Sequence, residues 1–173
     1  GEEEPEGEQE GQNSAEEQNP QTQGGLGELS PNSVYIMRDN DVNYKTLLNE
    51  FLTGTGAESS GFGEGHPMVE DLKKSWIVGI ATSKFLLDKS KPLIRYDVPF
   101  GVIGAAMSRT MTEQFIGGAR VSIIPTSAGN LFIVDNTTDR YSYRLHSAES
   151  IPRVPDTLTP EGTIYQRFVW LQK

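Results

Sequence analysis

Ala119-Arg120-Val121-Ser122-Ile123-Ile124-Pro125, Leu131-Phe132-Ile133-Val134-Asp135-Asn136 and Thr163-Ile164-Tyr165-Gln166-Arg167-Phe168-Val169-Trp170-Leu171 mark where the apolar period of this chain becomes 2. β-branched and aromatic residues dominate all three stretches, and alternation at this period is the signature of half-buried strands. A further alternating stretch, Arg140-Tyr141-Ser142-Tyr143-Arg144-Leu145-His146, lies between the second and third. The connections over 126–130 and 136–139 are of hairpin length, so the first three of these four strands are expected as an antiparallel meander. The fourth, over 163–171, then joins an edge or closes the sheet.

Upstream the period is 3.6. Tyr44, Leu47, Leu48, Phe51 and Leu52 fall on one helical stripe, with Asn40 or Asp41 as the cap before it and Gly54 as the left-handed stop after it. His66-Pro67 opens a second helix, proline standing where its missing N–H costs nothing. Val69, Leu72, Trp76, Ile77 and Ile80 carry its stripe toward Leu87. Thr110–Phe115 reads as one or two further turns. Val34–Met37 and Leu93–Val98 are short extended segments, and residues 54–65, with five glycines, read as a mobile loop. Helices followed by a run of strands define an α+β fold: N-terminal helices packed on a mainly antiparallel sheet of about four strands.

Charge divides the chain differently. It has 24 acids and 15 bases; nine glutamates and no base lie in the first thirty residues, which leaves 15 acids against 15 bases in 31–173. No large aliphatic residue occurs before Leu26, so 1–30 cannot bury enough surface to offset its ordering entropy. It is expected as a disordered acidic linker before one globular domain over 31–173, of a size that buries a core without staples. The chain contains no cysteine, which excludes disulfides, thiolate metal sites and a thiol nucleophile. No stretch approaches the roughly 18 apolar residues that cross a bilayer as a helix. A neutral 31–173 disfavours binding of double-stranded DNA through a basic surface.

Candidate chemistry concentrates on the strands. Alternation places Arg140, Ser142, Arg144 and His146 on one face, Arg120 and Ser122 on one face of their strand, and Tyr165 with Arg167 on one face of theirs. Should these coincide, guanidinium forks suit phosphate oxygens and a histidine suits proton transfer at a ribose 2′-hydroxyl, which is the equipment of a metal-independent ribonuclease. The candidate catalytic residues are His146, His66, Arg144, Arg140 and Tyr165, with Glu64 a companion to His66. The alternative is an ordinary sheet face of Arg–acid pairs, with His66 a helix-entry residue. The Gly-rich stretch 58–66 lacks the Gly-Lys-Ser/Thr ending of a phosphate loop. Two histidines eighty residues apart make no zinc set, and no cofactor or metal is expected.

Gly65-His66-Pro67-Met68 with Glu70-Asp71-Leu72, Thr112-Glu113-Gln114-Phe115-Ile116-Gly117-Gly118, Val134-Asp135-Asn136-Thr137-Thr138 running to Tyr143 and His146, and Gly162-Thr163-Ile164-Tyr165-Gln166-Arg167-Phe168 together resemble the domain downstream of the repeat core in bacterial Rhs/YD-repeat polymorphic-toxin proteins. The resemblance spans about 65–170. It implies a secreted or surface-exposed bacterial protein whose terminal piece is a toxin, often a nuclease. RNA would then be the substrate and an immunity protein the partner. The competing expectation is a non-catalytic binding or structural module on an exported protein.

Overall fold

The computed structural model describes residues 34–98, 108, 110–116, 118–139 and 159–173. In chain order the elements are β1 (Ile36–Met37), α1 (Tyr44–Thr53), β2 (Ser59–Phe62), α2 (Pro67–Lys73), α3 (Trp76–Phe85), β3 (Leu93–Val98), α4 (Met111–Ile116), β4 (Ala119–Thr126), β5 (Gly129–Thr138) and β6 (Ile164–Gln172). The fold is α+β. Its sheet differs from the expected mainly antiparallel one of about four strands: among the described residues it has six, in the order β1-β2-β6-β5-β4-β3. It is also mixed, since β1–β2 and β2–β6 are parallel while β6–β5, β5–β4 and β4–β3 are antiparallel.

The extra strand comes from the segment expected to be a loop. Ser59-Ser60-Gly61-Phe62 lacks the branched residues that announce a strand, yet all four are buried between β1 and β6. Small residues are required there: a Cβ on Gly61 would lie 2.7 Å from Met37 Sδ and 3.3 Å from Tyr35 Cβ. The meander is corrected too. β5 is held by β4 along one edge and by β6, from Asn130↔Gln172 to Thr138↔Ile164, along the other. The 163–171 stretch therefore occupies the place expected for 140–146. Residues 140–146 lie outside the described residues, as does the expected 1–30 linker.

The cap of the first helix is neither Asn40 nor Asp41 but Asn43. Asn43 Oδ1 accepts from the N–H groups of Lys45 and Thr46, and Thr46 Oγ1 accepts from Asn43 N–H, a reciprocal cap. Gly54 ends it at φ 71°, as expected. The second helix is two. Ser75 interrupts the helix and caps α3 through its hydroxyl, while the buried Glu113 of α4 accepts from Trp76 N–H at 2.7 Å.

One face of the sheet receives the helices. Val121 and Ile123, Phe132 and Val134, Phe168 and Trp170, and Phe62 point into it and meet Leu47, Met68, Leu72, Ile77, Ala81 and Phe85. Phe62 stacks on Phe168 with centroids 4.8 Å apart, and Phe132 on Trp170 at 5.1 Å, so the core is continuous across four neighbouring strands.

Two glycines separate backbone conformation from crowding. Gly65 has φ 86° and open space around it, whereas Gly54 has φ 71° and a Cβ there would meet the backbone of Thr159 and Pro160 at 2.4–2.7 Å. Gly65→Ala should cost about 1 kcal/mol in urea unfolding, the left-handed penalty alone. Gly54→Ala should cost clearly more, because the 159–160 chain must also move.

Candidate functional site

The sheet face turned away from the helices carries charge in strict register. Asp97 (β3) pairs with Arg120 (β4), Arg120 with Asp135 (β5), Asp135 with Arg167 (β6), and Arg167 with Gly61 (β2). The row alternates in sign across four strands. Arg167 Nε and Nη2 donate to the two Asp135 oxygens at 2.7 and 3.2 Å, the forked geometry that a planar guanidinium provides. Arg120 Nε stands 3.2 Å from Asp97 Oδ1 in a contact ion pair. The row ends at an aromatic ring, Arg167 lying 4.7 Å from the Tyr35 centroid. Gly61, bare of a side chain between β6 and β1, leaves that ring room to close.

Neutralisation decides what these arginines can do. The Asp135 carboxylate side chain is 6% exposed and its partner 34%. Hydrogen bonding to Asp135 outweighs the effect of burial and raises the Arg167 pKa above its ordinary value. Arg120 and Arg167 do reach the same face, together with Tyr165, but two aspartates already hold the positive charge a phosphate would need. Tyr165 is buried opposite Ser59 and Thr137, at the end of the sheet where β5 runs into Asp139, which is 1% exposed.

His66 sits apart from this face, at the entry to α2. Its Nδ1 accepts from Met68 N–H at 3.1 Å, and its Nε2 lies 2.8 Å from the Asp39 carbonyl, to which it donates. That pair of bonds defines a neutral imidazole with its proton on Nε2. The ring is 3% exposed and packs edge-on against Phe62 at 4.8 Å. Glu64, the companion acid, is engaged elsewhere: Lys73 Nζ donates to Oε1 at 2.8 Å and Leu171 N–H to Oε2 at 3.0 Å. Of the five candidate catalytic residues, the structure describes His66 and Tyr165; Arg140, Arg144 and His146 lie outside the described residues.

Sequence reasoning passed over Asp97 and Asp135, the partners that fix the arginines. The signal was present in Asp135, an acid inside an otherwise apolar strand, which asks for a cation across the ladder. Glu50 and Arg38 were missed in the same way; they form a half-buried pair on the helix side, Nη2 donating to Oε2 at 2.9 Å, with Ser60 Oγ also accepting from Arg38. Among the described residues no three His, Asp or Glu side chains gather as a metal site, and no helix is long and apolar enough to cross a membrane. Comparison with known protein families, curated proteins and solved structures returned no match to this chain. The class the fold defines is thus an α+β domain with a mixed six-stranded sheet, and the Rhs resemblance rests on its residues alone.

Three outcomes follow from this geometry. His66→Ala should lower stability by about 1–2 kcal/mol, and His66→Asn, which keeps a capping acceptor, should restore part of it. A double-mutant cycle on Asp135→Asn and Arg167→Gln should return a coupling of about 1–3 kcal/mol by chemical denaturation. Glu64 is held below its ordinary value of 4.5, first by Lys73 and then by the Leu171 N–H. Its stabilisation is therefore complete above the ordinary carboxylate range and is lost as pH falls through the depressed folded value. Glu64→Gln should cost less than about 1 kcal/mol at neutral pH, since the pair is solvent-exposed, and nothing once pH has fallen below the depressed folded value.

Proposed function

We propose that this chain is a terminal domain of an exported bacterial protein of the Rhs type, and that its globule serves that protein as a binding or structural module. The observation that carries the reading is His66. Both ring nitrogens are committed to backbone groups, so the imidazole has no lone pair or proton left for a substrate while α2 keeps its cap. The arginine row supports the same reading: each described guanidinium on that face is matched to a carboxylate. Side chains of the kinds that catalyse phosphodiester cleavage are here used to register strands and cap a helix. The acidic linker would hold the module clear of the carrier.

A second reading is favoured by one specific arrangement. β5 ends at Thr138, Asp139 is almost fully buried, and Tyr165 lies at that same end of the sheet. Arg140, Arg144 and His146 follow directly in sequence. A metal-independent ribonuclease would use the arginines on phosphate and His146 for the proton, with an immunity protein as the natural antagonist.

Induced expression of the full chain in the bacterial cytoplasm separates the two. The module reading expects undisturbed growth with folded protein accumulating. Growth arrest relieved by Arg144→Ala or His146→Ala, with both variants folded, would replace it by the ribonuclease reading.

A further inference from the structure

Among the described residues, an excess of positive charge lies far from the arginine row, where α3 hands over to β3. Residues 84–95 contain Lys84, Lys89, Lys91 and Arg95 against a single acid, Asp88. All five side chains are exposed. Asp88 compensates little: its Oδ1 is taken by the N–H and hydroxyl of Ser90, and Lys91 stands 3.7 Å from its other oxygen with 80% of the lysine side chain exposed. Lys84 and Lys89 make no ion pair with any described residue. An open groove of about 270 Å³ lies between Lys84 and Lys91, with Asp88 also on its wall; it is floored by Phe85 and Leu93 and flanked by Leu87, which is 78% exposed.

Within the neutral 31–173 these four bases face one acid, a local excess of positive charge that an acidic segment would complement. The chain itself carries such a segment. Residues 2–17 hold eight glutamates and no base. β1, which the acidic segment leads into, is the opposite edge strand from β3, five inter-strand spacings or about 24 Å away. The stretch from Glu17 to Val34 can extend to roughly 56 Å, so every one of these glutamates can reach the groove with slack. Tethering also raises the local concentration of the acidic segment to the order of millimolar, which makes individually weak ion pairs sufficient for occupancy.

We propose that residues 2–17 of the acidic segment dock intramolecularly on the lysine-lined groove formed by the end of α3 and the start of β3, through exchangeable Glu–Lys contacts. The docked segment would occlude this basic surface. It would give that surface up to a competing polyanion or to raised salt. This goes beyond the module reading and does not depend on which of the two functions holds.

The absence of cysteine permits a clean test on the full chain. Ser14→Cys creates a unique thiol for a nitroxide, and backbone amide intensities report which residues it approaches. The amides of 84–93 should lose roughly half or more of their intensity at about 0.01 M salt, where charges act over about 30 Å, and regain it at about 1 M, where they act over about 3 Å. Lys84→Glu combined with Lys89→Glu and Lys91→Glu should abolish the effect. A second variant with the eight glutamates changed to Gln leaves the globule untouched and should abolish it equally. Amides of 84–93 that keep full intensity at low salt overturn the proposal, as does broadening that salt leaves unchanged or that spreads evenly over the surface. Broadening that appears only when isotope-free, spin-labelled copies are mixed in would assign the contact to a second molecule and overturn it as well.

Discussion

β6 is hydrogen-bonded along both edges, parallel to β2 and antiparallel to β5, and the rest of the architecture follows from that double pairing. With register fixed on both sides, consecutive residues of one strand are assigned to different tasks. Phe168 is placed between Phe62 and Val134 in the core, Arg167 opposite Asp135 on the far face, and Gln166 beside Asn136 on the helix side. A slip of one residue would exchange these faces and bury the guanidinium among the aromatics. The Asp135–Arg167 fork and the Phe62–Phe168 stack penalise that slip from opposite sides of the sheet. Because β2 comes from the N-terminal half and β6 from the last ten residues, this pairing also closes the chain on itself.

Polar groups inside such a closed unit must be matched, and most of those described are. Glu113 reaches from α4 to the first free N–H of α3; Thr112 donates to Asp71 across from α4 to α2; Arg38 meets Glu50 and Ser60. Gln166 is the exception. Its Oε1 accepts from Asn136 Nδ2 at 2.7 Å and from Thr138 Oγ1 at 3.2 Å, while its buried Nε2 has no partner. An unmatched buried donor costs on the order of 1–3 kcal/mol. The side chain earns its place as the shared acceptor that ties β5 to β6 on the helix side.

The sequence made some of this legible and hid the rest for physical reasons. Gly54, Pro67 and the alternation over 119–138 and 164–172 are local signals with local causes, and the corresponding helix ends and strands stand where they point. β2 was illegible because its strand character is imposed from outside: Ser59, Ser60 and Gly61 are chosen for close approach, not for β propensity. The break between α2 and α3 was hidden because the stripe from Val69 through Ile80 continues across Ser75. The pairing of β5 with β6 skips over Arg140–His146, and no spacing rule in one sequence distinguishes the next alternating stretch from the one after it. At the candidate site, residue type suggested chemistry for Arg120, Arg167 and His66, but their partners lie 15 to 32 residues away or in backbone carbonyls, which composition cannot show.

Charge in this protein therefore falls into two populations with different consequences. Asp97, Arg120, Asp135, Arg167, Arg38 and Glu50 are matched inside the fold, with geometry too specific to be given up without loss of register. Lys84, Lys89 and Lys91 cluster on the surface beside an apolar groove, and residues 2–17 offer it complementary charge. Matched, half-buried pairs resist salt because little solvent screens them, whereas exposed and tethered charges respond to it steeply. Raising ionic strength should thus leave the sheet intact while releasing the acidic segment. The part of the molecule that responds to its surroundings is then the edge at β3 and not the arginine row, and a partner that reads this domain by charge would meet it there.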